Sequence, residues 1–162
     1  MKKSLFLLLV IVLCSCTYSV YTTGYPHLKS IIIIPFENKT TQYNLEENIH
    51  ISLSSNYEND GRLKIVSISP DCQLEGEILD YSNKILSYAG SNVEEYEVRI
   101  LFKISFIDLK KNNIILKNDA LQLSETYSFS EDTSEFKTEE EAQEKIINDL
   151  FDYIIKESLE EW

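Results

Sequence analysis

The chain is poor in the residues that most kinds of chemistry need. Four glycines among 162 residues cannot furnish a glycine-rich phosphate loop, and no such pattern occurs. Two histidines, His27 and His50, lie far apart, and the cysteines are only Cys14, Cys16 and Cys72, so no metal-ligand spacing arises. There is no G-x-S-x-G elbow, and neither histidine stands in a nucleophile–base arrangement. Both read as surface groups. Glu75 and Glu77 share a strand face but have no evident catalytic partner, so they read as solvated. The carboxylate-rich stretch Glu131 to Glu144 lacks the central glycine of a calcium loop. No catalytic residue, metal or cofactor is expected. Positive charge is scarce too: 15 Lys and Arg against 27 Asp and Glu give a net charge of −12. That excludes the basic face a nucleic-acid partner requires.

What the sequence does have begins at its first residues. Lys2 and Lys3 precede an apolar run, Leu5 to Leu13, which is too short for a membrane span of roughly 20 residues. The run ends in Leu13-Cys14-Ser15-Cys16, which resembles the lipobox of bacterial lipoproteins, with Ser15 as the small residue before the cut and Cys16 supplying the thiol to be acylated. Cys14 fits less well, because bulky Leu13 would precede the cut. The expected organisation is a signal peptide over 1–15, a lipidated tether over 16–29 and one domain over 30–162. The absence of Asp after Cys16 resembles lipoproteins released to the outer membrane, on its periplasmic face. Cleavage removes Lys2 and Lys3, leaving 13 basic and 27 acidic residues and a net charge of −14. Charge therefore gives no attachment to anionic lipid, and the lipid is the anchor. Cys72 is then the sole free thiol, expected as a small buried hydrophobe on a strand.

Periodicity sets the fold. Ile31 to Ile34, closed by Pro35, reads as a short strand buried on both faces. Asn44 and Glu47 suggest a capping box, after which Leu45, Ile49, Leu53 and Tyr57 recur every four residues. Asn59-Asp60-Gly61 stops that helix, and Leu63 to Ile68 forms a second short strand, completing a βαβ unit. From Cys72 onward the period becomes two. Cys72, Leu74, Gly76 and Ile78 alternate with polar residues, as do Tyr96, Val98, Ile100, Phe102, Ile104 and Phe106. Tyr88 to Val93 joins these two strands as a hairpin, and a turn at Lys110 to Asn113 leads to a third long strand. Thr138 and Glu141 cap a terminal helix with Ala142, Ile146, Leu150, Tyr153 and Ile154 on its apolar stripe. The predicted class is α+β: a two-layer sandwich with a mixed four- to five-stranded sheet and two helices packed on one face.

The succession of motifs resembles one family. A lipobox cysteine with nearby Tyr18 is followed by IIIPFENKT at 32–40 and the helix opening Leu45-Glu46-Glu47. Then come Asn59-Asp60-Gly61-Arg62-Leu63, Leu74-Glu75-Gly76-Glu77-Ile78, Glu95-Tyr96 and a terminal acidic helix. This order is similar to that of the LPS-assembly lipoprotein family LptE and covers nearly all of the mature chain. The resemblance implies an outer-membrane lipoprotein that plugs the barrel protein LptD and helps deliver lipopolysaccharide (LPS) to the cell surface. On that reading the hairpin tip, Gly90, Ser91 and Asn92, is the candidate partner-binding element. The tip carries Glu94 and Glu95 but no basic residue. The candidates for LPS contact are therefore Arg99 and Lys103 on the outward strand face. The alternative is an envelope lipoprotein of the secretion-channel or peptidoglycan-synthase-activator type, a non-enzymatic assembly module that shares the I-P-F-E-N-x-T segment.

Overall fold

The computed structural model describes residues 24–89, 92–128 and 135–160. The isoleucine run forms β1 (Ser30–Ile33), held between two parallel neighbours. Ile31 and Ile33 are buried, while Ile32 and Ile34 are only half-buried. The expected burial on both faces is therefore not found, because the helices cover one face of the sheet alone. Pro35 has no N–H to give the ladder, and the strand breaks there. Pairing resumes as β2 (Glu37–Asn38) on the same neighbouring strand. Phe36, freed by that break, turns into the core and is 3% exposed.

Helix α1 spans Leu45–Asp60, and Leu45, Ile49, Leu53 and Tyr57 are its buried residues. Its start departs from the expected capping box. Asn44 adopts a left-handed conformation (φ 58°) and its side chain makes no cap hydrogen bond. Its end is as expected, with Gly61 at φ 71° and its N–H donated to Tyr57 O. Strand β3 (Lys64–Ile65) then pairs parallel to β1, which gives the predicted βαβ unit.

Three long strands follow as an antiparallel meander: β4 (Cys72–Ala89), β5 (Asn92–Asp108) and β6 (Asn113–Tyr127). The strand order is β3-β1-β4-β5-β6, with β2 also beside β4. The sheet is mixed and has six strands rather than four to five, the extra one being β2. Val98, Ile100, Phe102, Ile104 and Phe106 are all buried on the helix side, in the predicted phase. Cys72 is buried on that face too, and desolvation pushes its thiol up to about 12, which keeps it an inert packing group.

Helix α2 (Glu139–Ser158) closes the second layer. Thr138 Oγ1 accepts from Glu141 N–H at 3.2 Å, and Glu139, Glu140 and Glu141 sit at the positive end of the helix dipole. Tyr57 meets Phe151 edge to face at 5.0 Å, joining the two helices. Asn118 of β6 donates to Tyr153 OH at 2.9 Å, and Gln143 to Tyr81 OH at 2.8 Å, so α2 is fixed to the sheet at two heights.

Gly76 marks the closest packing. A Cβ there would lie 2.6 Å from the Phe36 ring and 2.8 Å from Lys103 O. The ring could tilt away, but the carbonyl belongs to the β5 ladder. Gly76→Ala is therefore expected to cost about 1–3 kcal/mol through overpacking. Urea melts of the lipid-free chain check this, and an unchanged midpoint would refute the close approach.

Candidate functional site

The two ends of the long strands differ in chemistry. Where β4 begins and β5 finishes, carboxylates receive the incoming N-terminal segment. Asp71 Oδ2 accepts the N–H groups of Lys29 (2.7 Å) and Ser30 (3.1 Å), and Oδ1 lies 2.8 Å from Lys110 Nζ. The Lys110 ammonium and these amides hold the Asp71 carboxyl down at about 2. Asp108, 1% exposed, sits 2.5 Å from His27 Nε2 and accepts the N–H groups of Lys110 and Lys111, both at 2.9 Å. Burial pushes its carboxyl up, but the His27 bond and the two amides outweigh burial and leave it below its ordinary value. Gly24 N–H donates to Leu159 O at the end of α2, and Leu28 is buried. Residues 24–29 are thus bound to the domain on three sides.

His27 is therefore not the surface histidine that the sequence suggested. The missed signal lies in strand phase. Asp108 takes the next helix-side position after Phe106, where a carboxylate requires a partner. His50 is half-buried, with Nδ1 enclosed and no hydrogen-bond partner among the described residues.

The sheet face away from the helices holds the second group of charges. Glu77 accepts from Lys103 Nζ at 2.5 Å and also from Lys39. The hydrogen bonds from Lys103 and Lys39 hold Glu77 at about 2. Arg99 Nη2 bonds Glu97 Oε2 at 2.7 Å. Lys103 and Arg99 lie on the outward face, as expected, but each already has a carboxylate partner. Beside Lys103 is a shallow depression of about 290 Å³, lined by Ile34, Pro35, Glu75, Gly76 and Glu77.

These carboxyls predict a direction for acid sensitivity. Glu77 falls from 4.5 to about 2 on folding and Asp71 from 3.8 to about 2. The unfolded chain binds more protons than the folded one between those limits. The stability they contribute is then complete above about pH 4.5 and lost as the pH falls toward 2. Glu77→Gln is expected to flatten part of that fall, read as urea midpoints from pH 6 to 2.5. A variant that tracks the parent at every pH would remove Glu77 from the account.

At the far end the sheet extends past the helices. Tyr81 and Asn83 still contact Glu139, at the start of α2. Beyond Asn83 the β4–β5 hairpin continues as an arm, with Tyr96 and Tyr127 stacked at 5.1 Å at its base. Six further residues of β4, Lys84 to Ala89, give it a length of about 20 Å at roughly 3.3 Å per residue. Ile85, Leu86 and Tyr88 are 45%, 51% and 61% exposed on it. Of the predicted tip residues, Gly90 and Ser91 lie outside the described residues, as does the lipidation candidate Cys16. Asn92 opens β5 and pairs with Ala89. Among the described residues no helix is long and apolar enough to cross a membrane, and no three His, Cys, Asp or Glu side chains group to hold a metal.

Comparison with known proteins places the chain. Several solved structures share the fold at low identity. Lipoprotein B from Nitrosomonas europaea is 15% identical with a TM-score of 0.54, covering 87% of this chain and 89% of its own. Protein XCC0632 from Xanthomonas campestris is 10% identical with a TM-score of 0.55, covering 85% and 89%. Protein CT253 from Chlamydia trachomatis is 10% identical with a TM-score of 0.52, covering 78% and 94%. No curated protein matches the sequence. The family model LptE, described as lipopolysaccharide-assembly, matches residues 28–157, from the buried Leu28 to the last turn of α2. The chain belongs to the LptE lipopolysaccharide-assembly family.

Proposed function

We propose that this chain is a lipid-anchored subunit of an LPS-assembly complex at the periplasmic face of the outer membrane. Cys16 carries the lipid, and an LptD-like β-barrel is the partner. The observation that carries this reading is the LptE match across residues 28–157, which runs from before β1 into the last turn of α2. The geometry supports it in two ways. Residues 24–29 are bound at one end of the sheet while the arm leaves at the other, which suits an anchor on the N-terminal side and an arm that reaches toward a partner. The open sheet face is mixed, with Glu75, Glu77, Glu97, Arg99, Lys103 and Ser105 beside the half-buried Ile32, Ile34, Leu101 and Ile107 and the exposed Ile114, which suits contact with the polar lumen of a barrel. The carboxyls Asp71, Glu77 and Asp108, all held below their ordinary values, bind lysine, histidine or main-chain partners that join separate elements of the fold. That supports assembly rather than catalysis. Contact of Arg99 or Lys103 with an LPS phosphate would exchange Glu97 or Glu77 for the phosphate oxygens.

The test is purification through a C-terminal tag from detergent-extracted envelopes. Recovery of an outer-membrane barrel protein, identified by mass, is the expected result. Recovery of only a homo-oligomeric ring would favour the secretion-channel or synthase-activator class instead.

A further inference from the structure

We infer that the free edge of β4 from Asp80 to Ile85 accepts an added β-strand from the partner, an extended segment with apolar side chains and net positive charge. This rests on the barrel-partner reading and specifies how the partner is held. On the side away from β5, β4 is covered by β1 and then β2 only as far as Ile78. Ile34 N–H bonds Leu74 O and Lys39 N–H bonds Ile78 O, so helix-side residues of β4 turn their main-chain groups to that edge. The bulge between Ile78 and Asp80 keeps the phase, since Tyr81, Asn83 and Ile85 pair with the helix-side residues Ile100, Val98 and Tyr96. Their N–H and C=O groups therefore face outward, and among the described residues no strand pairs with them.

An unpaired edge of this kind is a template for another strand, and proteins usually blunt it with charge, proline or a bulge. The opposite edge is blunted. Strand β6 carries the exposed Lys117–Asp119 pair, a register shift between Asn118 and Leu121, and a bridge from Tyr127 to Phe136. The β4 edge has no proline, and from Asp80 to Ile85 its pairing with β5 is regular, the bulges falling before Asp80 and after Ile85. Three of the exposed large apolar residues, Ile85, Leu86 and Tyr88, crowd its end. Charge selects the occupant. Residues 80–97 hold Asp80, Glu94, Glu95 and Glu97 against Lys84 alone, and Glu139 lies beside Asn83. A second copy of a chain with net charge −12 would meet like charge there, whereas a basic segment would be attracted. Main-chain bonds would then supply affinity and the apolar side chains specificity.

The experiment uses the full lipidated chain in detergent, alone and with its copurified barrel. Amide hydrogen exchange at Tyr81, Asn83 and Ile85 is expected to slow by roughly tenfold or more in the complex, as ladder bonds form. Asn83→Pro removes one outward N–H without touching the β4–β5 ladder, where an edge proline is tolerated. Asn83→Ala controls for the side-chain bonds to Tyr127 and Glu139. The proline variant is expected to lose most barrel recovery while the alanine variant keeps it. An intact complex with these three amides unprotected overturns the strand addition but leaves the barrel reading standing. So does equal barrel recovery by both variants. Photo-crosslinks from Leu86 to a second copy would overturn it in favour of self-assembly. Absence of any barrel with the unaltered chain would overturn both.

Discussion

Phe102→Ala is expected to destabilise the lipid-free domain by about 3–5 kcal/mol, while Leu101→Ala costs much less. The two residues are neighbours on β5, the central strand of the meander, and differ in the face they occupy. Phe102 is fully buried, paired with Ile78 on one side and Leu121 on the other. Its ring meets Phe36 edge to face, with centroids 6.5 Å apart. Phe36 also packs over Gly76, which limits how far it can move to fill the space. Truncation therefore leaves a cavity walled by residues that are already committed elsewhere. Leu101 is half-buried on the helix-free face, where lost contacts are replaced by water. Urea melts at one pH measure both changes, and the Phe102 variant should also melt on the order of 10 °C lower. Equal losses at the two positions would mean that the strand faces have been assigned the wrong way round.

That contrast was legible in the sequence because sustained period-two alternation has one physical solution: a strand with one wet face. The same holds for the four-residue recurrence of α1 and for Gly61, whose left-handed φ ends it. The parts that were misread all depend on neighbours that local pattern does not specify. An all-isoleucine strand looks buried on both sides, yet the number of helix layers decides whether it is, and here only one exists. Asn44 had the right chemistry for a side-chain cap, but the chain arrives at the helix in a left-handed turn that points the side chain elsewhere. The hairpin was expected from Gly90 and Asn92, yet the open edge beside it was not. Edge exposure is set by where β2 stops, and Pro35 with the two-residue β2 decides that. His27 and Asp108 lie 81 residues apart, so their contact was beyond any local signal. The out-of-place aspartate at the end of an apolar phase was the one available hint.

Cys16→Ala is expected to abolish fatty-acid labelling altogether and to leave a precursor of full length or a mislocalised chain. Single acyl chains bind membranes marginally, and stable anchoring needs two signals, which the lipid on a lipobox cysteine supplies together. Charge offers no second attachment to compensate. Cleavage before Cys16 would leave a net charge of −14, so anionic lipid would repel the processed chain. Geometry gives the anchor a further role. Eight residue steps separate Cys16 from Gly24, a reach of at most about 29 Å. At Gly24 the chain is already bound to Leu159 O, and His27 and Lys29 follow on Asp108 and Asp71. If Cys16 carries the lipid, a tether of that reach attached at Gly24 is expected to turn that pole of the domain toward the bilayer and the β4–β5 arm away from it. Metabolic labelling with a fatty-acid probe, read together with precursor size on a gel, checks the chemistry. Label retained in the variant would move the attachment to Cys14, whereas label lost from a chain that is still cut at its normal size would mean an ordinary secretory signal in place of a lipobox. Lengthening the tether by ten Gly/Ser residues after Cys16 then tests the geometry. Labelling should survive unchanged, while barrel recovery should fall because the arm is no longer presented at a fixed height.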